Sequence, residues 1–235
     1  MDIIENFNEA GRFTGKLLNN IGNLLILLVL AIIPIVDLIF LGYLAKLIRE
    51  GKRLAEPPKL SDYGRLFVDG LKIIIAVIVY AIIPAIILGV LALPFIPTFT
   101  LGFLFSPLAF IASIFAYVAI ALVIFFAFLI FGIVAIGNMI RTDKFMKIFA
   151  FGEAWTIISK TGFGKYLTWL VLYFILGLIG SGFGAVNWIL GAVVSVFIGI
   201  FVARSFSTLL DEVLGQPTQP QPPAVAVPPS TPPSP

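Results

Sequence analysis

Asp37 is the one ionisable side chain inside an apolar stretch of 29 residues, Leu17–Ala45. A charged Asp at the centre of a membrane helix costs about 2.5–3.5 kcal/mol on insertion scales, so a carboxyl kept there is a candidate proton or cation contact. Asn23 and Asn138 are the polar side chains considered as its neighbours. The competing reading puts Asp37 at a hairpin tip beside Pro34, where water or headgroups solvate it.

Other chemistry is sparsely provided. The chain has no Cys and no His, which removes disulfides, iron–sulfur clusters, Cys-based zinc sites and the commonest general base. Glu50, Glu56, Asp62, Asp69, Asp143 and Glu153 show no spacing suited to a paired-carboxylate mechanism or to activating a Ser. No metal ligand set is visible, which leaves open only an all-oxygen magnesium or calcium site. The expectation is a non-enzyme without a cofactor.

The elements that would position Asp37 follow from composition. Of 235 residues, 60% are hydrophobic and 11% charged, and the mean hydropathy is +1.11. Soluble domains average roughly 45–50% apolar and about 25% charged residues, so a soluble globular enzyme is excluded. Ile73–Ile140 runs 68 residues without a charge, and Tyr166–Ala203 runs 38. A membrane helix needs about 20 apolar residues, and isolated strands leave unpaired backbone groups in lipid. The predicted fold class is therefore an all-α, polytopic helical membrane bundle. Its four spans fall near Ile73–Leu93, Pro107–Gly137, Tyr166–Gly182 and Val186–Ala203, with a turn at Gly180–Gly184. Leu17–Ala45 is either one tilted span or a short hairpin broken near Pro34.

The net charge of +3 is less informative than its distribution. Loop 46–72 holds seven basic residues and loop 141–165 holds five, whereas Pro94–Ser106 and the Gly182 turn hold none. Short basic loops stay cytoplasmic. Both loops and the C-terminus are therefore expected inside, in a multi-pass protein of the cell membrane. A hairpin at Leu17–Ala45 would put Arg12 and Lys16 inside too. No signal peptide is expected, because Met1–Asn20 has no apolar central region. Residues 1–16 have the spacing of an amphipathic interfacial helix, and 17–210 form the membrane domain. Asp62, Arg65, Asp69 and Lys72 make one charged helical face in the first loop. Phe145, Ile148, Phe149 and Trp155 make an apolar face in the second. Such faces can rest on headgroups, with anionic lipid as the expected partner and nucleic acid excluded. Trp155, Tyr166 and Trp169 are expected as anchors on the inner side and Trp188 on the outer.

Leu47-Ile48-Arg49 and Met139-Ile140-Arg141 both close an apolar helix and open a basic loop, and Phe201-Val202-Ala203-Arg204 ends the last span similarly. This hints at parallel repeats. Gly191, Ser195, Gly199 and Ala203 recur every four residues, a small-residue stripe suited to close helix packing within the chain or with a second subunit. Residues 216–235 are expected to be a disordered tail: Pro217–Pro235 has nine Pro and no charge, with a protein partner considered there.

Ile33-Pro34-Ile35-Val36-Asp37-Leu38-Ile39 with Gly42-Tyr43, then Pro58, then Asp62-Tyr63-Gly64-Arg65-Leu66-Phe67-Val68-Asp69-Gly70-Leu71, resembles an uncharacterised prokaryotic family of multi-pass membrane proteins. That family is often archaeal and is known only as a domain of unknown function. The resemblance covers roughly Lys16–Leu210. It implies a hairpin at Leu17–Ala45 and a cytoplasmic N-terminus, because longer members have two full spans there. It implies no activity and no catalytic residue. The chain departs from the pattern at Leu60, where the family tends to have Trp. The leading functional expectation is a membrane-organising or interaction protein. The alternative is a small transporter or channel component using Asp37 and the Pro-broken helices.

Overall fold

The computed structural model describes residues 2–33 and 35–215. Pro34 and the Pro-rich tail 216–235, on which a helix break and a disordered segment were expected, lie outside the described residues. Nine α-helices and no strands are found among the described residues. In chain order they are α1 (Ile3–Gly15), α2 (Ile21–Ile32), α3 (Asp37–Glu50), α4 (Tyr63–Ala92), α5 (Ile96–Phe105), α6 (Pro107–Thr142), α7 (Phe151–Thr161), α8 (Phe163–Val186) and α9 (Trp188–Leu214). Four helical segments are long and apolar enough to cross a membrane: α4 continued through α5 to Gly102, then α6, α8 and α9.

Leu17–Ala45 folds as a hairpin. A straight helix over its 29 residues would be about 43 Å long at roughly 1.5 Å per residue, but the chain breaks between α2 and α3. Asn23 Nδ2 of α2 and the Tyr43 hydroxyl of α3 donate to the same Pro58 carbonyl, at 3.2 and 3.0 Å. Asn23 Oδ1 also accepts the Leu60 N–H at 3.0 Å. The two residues lie on opposite sides of the break, so sharing one acceptor folds the arms back on each other. α1 and its 3-10 extension meet α2 at 103°.

The packed core lies toward the end of the bundle that carries the basic loops. No residue of α6 before Gly132 is buried and none of α8 after Leu170, while every residue of α9 from Ala203 to Asp211 is. One cluster joins Val134, Ile158, Tyr166, Trp169, Phe206 and Leu210. A second joins Phe13, Leu17, Leu27, Tyr43 and Ile200. Toward the opposite end the helices run as exposed apolar pairs. There Phe95 of the α4–α5 connection and Phe99 of α5 pack on Tyr117 of α6, at ring-centroid distances of 5.6 and 6.2 Å.

Several boundaries differ from the sequence expectation, for identifiable reasons. The turn expected at Gly180–Gly184 is helical, and the chain reverses at Asn187, whose side chain caps α9 by accepting the Ile189 and Leu190 N–H groups. The glycines serve close approach instead, since a Cβ on Gly191 would lie 2.5 Å from Gly184 Cα. The charged face Asp62–Lys72 is not a separate interfacial helix but, from Tyr63, the first turns of α4. Pro94–Ser106 contains helix α5 rather than only a loop. Tyr166 and Trp169 are core residues, each 2% exposed, and not interfacial anchors, whereas Trp155 and Trp188 are exposed.

The closest helix contact is between α3 and α4. A Cβ on Gly42 would fall 1.8 Å from the Leu66 carbonyl oxygen, and one on Gly70 would fall 1.9 Å from that of Leu38. Backbone stands against backbone here, so no rotamer change can make room. Gly42→Ala and Gly70→Ala are each expected to destabilise the protein by about 1–3 kcal/mol or more, the range for overpacking. Thermal unfolding in detergent, followed by circular dichroism, should show lower midpoints for both than for Gly64→Ala, where a Cβ would meet nothing within 4 Å.

Candidate functional site

The ionisable residues converge on the turn after α3. Gly51 has φ +59, a left-handed value that favours glycine, and a Cβ there would meet Asp211 Oδ2 at 2.6 Å and Arg141 Nη2 at 2.9 Å. This turn brings the Gly51 carbonyl to Arg204 and the Lys52 N–H to Asp211. Arg204 Nη1 donates to that carbonyl at 2.6 Å and Nη2 to Glu9 Oε1 of α1 at 2.7 Å. Asp211 accepts the Lys52 N–H at 2.9 Å and pairs with Arg141 of α6. Arg141 also donates to the Ser207 carbonyl at 2.9 Å. The Arg204 guanidinium lies 4.5 Å from the centroid of the Phe13 ring, a favourable placement for a desolvated cation.

Both arginines are nearly inaccessible, with Arg141 and Arg204 side chains 5% and 7% exposed. Burying a charge is costly unless it is paired and hydrogen-bonded, and here each cation has a carboxylate and a carbonyl. Arg141 Nε, Arg204 Nε and the Thr208 hydroxyl are buried without a hydrogen-bond partner among the described residues.

Two further networks flank it. Arg49 of α3 donates to Asp69 of α4 at 2.9 Å and to the Ile140 carbonyl of α6 at 3.3 Å. Lys72 donates to Asp143 at 2.9 Å, and Arg65 and Arg49 lie within 4 Å of the same carboxyl. Asp143 adopts a left-handed φ of 52, tolerated by Asp, where α6 ends. The Lys72 ammonium, reinforced by the two arginines, holds its carboxyl below the usual range. On the other flank Ser205 Oγ accepts the Trp169 indole N–H at 2.8 Å and donates to Asn6, whose amide donates to the Ser205 carbonyl at 3.1 Å. Lys147 and Asn138 both donate to Glu153, which lowers its pKa as well.

Asp37 stands apart from these networks. It is the first residue of α3, part-buried, and its side chain has no hydrogen-bond or ion-pair partner among the described residues. Neither neighbour considered from the sequence is its partner: Asn23 holds the 58–60 loop and Asn138 holds Glu153. The small-residue stripe of α9 divides among neighbours. Gly191 meets Gly184 of α8, Gly199 lies 3.1 Å below Phe40 of α3 by its would-be Cβ, Ala203 is buried, and Ser195 is exposed. Sequence reasoning missed the hub, although its repeat signal marked two of the hub residues, Arg141 and Arg204, and Arg49 of the flanking network; Arg204 lies within α9, ten residues before its end. No cluster of three or more His, Cys, Asp or Glu residues suited to a metal occurs among the described residues.

Removing one partner of a buried ion pair leaves the other uncompensated, at a cost of about 3–5 kcal/mol. Asp211→Ala should lower the unfolding midpoint strongly, and Arg141→Leu combined with Asp211→Leu should recover part of that loss. A depressed carboxylate pKa contributes stability in full above the ordinary value near 3.9, and loses it as pH falls through the depressed one. Acid titration of thermal stability should therefore show a smaller loss below about pH 4 for Asp143→Asn than for the wild type.

The chain matches the family described as "Protein of unknown function (DUF4013)" over residues 25–206. That interval runs from within α2 to within α9 and includes Arg49, Arg141, Arg204 and Asp37. No curated protein and no solved structure matches it. The chain belongs to this family of unknown function, as the residues around Asp37 and Asp62–Leu71 suggested.

Proposed function

We propose that this is an integral membrane protein that organises membrane components or binds a protein partner, without catalysis. Its charged end faces the cytoplasm. The observation that carries the reading is the cross-bracing of that end. Ion pairs and carbonyl contacts tie α1 to α9, the 51–52 turn to α9 and α6 to α9. A rigid, polar platform held by apolar helices suits presentation of a surface better than turnover. Cytoplasmic placement follows from the basic loops, and the exposed Met146, Phe149 and Trp155 beside the second loop offer apolar contacts at that level.

A transport reading has one specific observation in its favour. Phe40, near the hairpin tip, packs over Gly199, eleven residues from the start of α9. This is about 16 Å along the α9 axis at roughly 1.5 Å per residue. An unpaired carboxyl one turn farther along α3 would then sit well inside the hydrocarbon, where ionisable groups default to ion or proton pathways.

The chain's lack of Cys makes topology directly testable. A Cys replacing Thr98 should react with an impermeant maleimide on intact cells, and a Cys replacing Asn8 should not. Labelling of the Asn8 position from outside would reverse the orientation. Crosslinked pull-downs with and without Pro217–Pro235 should recover a partner from the full chain, and recovery of none in either case removes the support for an interaction role. Reconstituted vesicles are expected to show no solute flux. A flux abolished by Asp37→Asn would replace the leading reading with transport.

A further inference from the structure

The two arms of the hairpin at Leu17–Ala45 are covered unequally. No residue of α3 is exposed, because α3 packs against both α4 and α9. Its approach is close on each side: a Cβ on Gly70 would meet the Leu38 carbonyl, and one on Gly199 would meet Phe40 and Leu44. In α2 only one side is covered. Leu27 and Leu30 are buried with Tyr43 and Ile200, while Ile21, Leu25, Ile26, Val29 and Ile33 are exposed. At about 100° per residue these five positions sweep about 140° of the helix surface.

Two observations say what covers that face. Helices that associate in a membrane meet through small residues, but among the exposed residues of α2 only Gly22 is small and the rest are Ile, Leu and Val. The face therefore suits acyl chains better than a second helix. Its length is also that of one leaflet. Asn23 is held at the polar end by the Pro58 carbonyl and the Leu60 N–H. From Asn23 to Ile33 is about 15 Å at roughly 1.5 Å per residue, half of a hydrocarbon core of about 30 Å.

The hairpin thus fills one leaflet and leaves the other untouched. A helix about 10 Å across occupies about 80 Å² of membrane, so α2 and α3 together add about 160 Å² to the leaflet on the side of the basic loops. Nothing offsets this at the opposite end. Only α4 with α5, α6, α8 and α9 continue there, and α6 before Gly132 and α8 after Leu170 have no buried residue. The arm is also firmly mounted, since α3 carries the Gly51 carbonyl to the buried Arg204. Added area in one leaflet is relieved when that leaflet lies on the convex side of a bent bilayer.

We propose that the α2–α3 hairpin is a wedge through which this protein favours, and at high density imposes, membrane curvature with the basic-loop leaflet convex. The proposal rests on the membrane reading above and gives membrane organisation a mechanical form. The partner is a bilayer of that curvature, and no particular headgroup is required.

The test uses the full chain carrying Asn8→Cys, reconstituted into giant vesicles of one neutral lipid. An impermeant dye applied outside labels only copies whose charged end faces out, and membrane tubes are then drawn outward, so that the labelled side is convex. Labelled protein should be enriched in the tube over a lipid dye by roughly twofold or more, as a preference between two membrane shapes requires. Leu25→Lys combined with Val29→Lys puts two charges, unfavourable in hydrocarbon, on the face that touches no protein, and should abolish the enrichment. Should that variant unfold, Ile21→Ala, Leu25→Ala and Val29→Ala together thin the same arm and should reduce it. In a separate chain, Ile35→Cys at the tip should react with an impermeant maleimide from neither side of the membrane. Equal density in tube and vesicle, enrichment unchanged in the variants, reaction at position 35 from the side opposite the basic loops, or crosslinking of Leu25→Cys chains to one another would overturn the proposal. Loss of the protein from membranes washed with alkaline carbonate would instead remove the membrane reading, and the proposal with it.

Discussion

Arg204 is the side chain on which the charged end depends. It projects from α9 into a space where a guanidinium has almost no access to water, and two separate segments satisfy it: Glu9 from α1 and the Gly51 carbonyl from the turn after α3. An unpaired buried cation is so unfavourable that the fold must bring both segments to α9. Gly51 is required there twice over, by its left-handed φ and by the oxygen atoms that would crowd a Cβ. Asp211 extends the same logic by holding the adjacent N–H of Lys52 and the guanidinium of Arg141, so α3, α6 and α9 end in one network.

The apolar parts of the chain obey a different constraint. Helices in hydrocarbon gain little from burying apolar side chains against one another, because lipid tails are equally apolar, so association depends on close packing and polar contacts. The structure divides accordingly. α6 before Gly132 and α8 after Leu170 have no buried residue. Where glycine permits approach, at Gly42 with Gly70 and at Gly184 with Gly191, the helices touch by their backbones. Polar side chains, among them Asn6, Asn23, Tyr43 and Ser205, supply the remaining ties, and they lie at or near the charged end.

The sequence made the spans legible because a charge-free run of 68 residues has few alternatives to two membrane helices and a connection. Helix limits were less legible. Gly180–Gly184 reads as a turn by composition, yet glycine in a membrane helix also permits close packing, and Asn187 was the decisive cap. Asp62–Lys72 reads as a solvated face because charges usually face water, but Arg49 of α3 donates to Asp69 and no local pattern reveals a partner 20 residues away. The hub was partly visible. Arg141 and Arg204 stand out by following similar apolar runs, while Asp211 and Glu9, the acids that pair with them, carry no pattern of their own.

The hairpin follows from combining these two constraints. Chain breaks in hydrocarbon are tolerated only where the freed backbone groups find partners. At this break the Asp37 N–H returns to the Ile33 carbonyl at 2.8 Å and the Ile39 N–H to that of Val36 at 2.9 Å. Ile35 is 74% exposed at the tip, as a side chain facing lipid would be. The loop at Pro58–Leu60 binds both arms at their open end, so α1 and the loop after α3 emerge on the same side, where Glu9 and Gly51 can both reach Arg204. A single crossing would place α1 at the far end of α9 and leave Arg204 without its carboxylate. The return of the chain at Leu17–Ala45 and the burial of Arg204 are thus one requirement seen from its two ends.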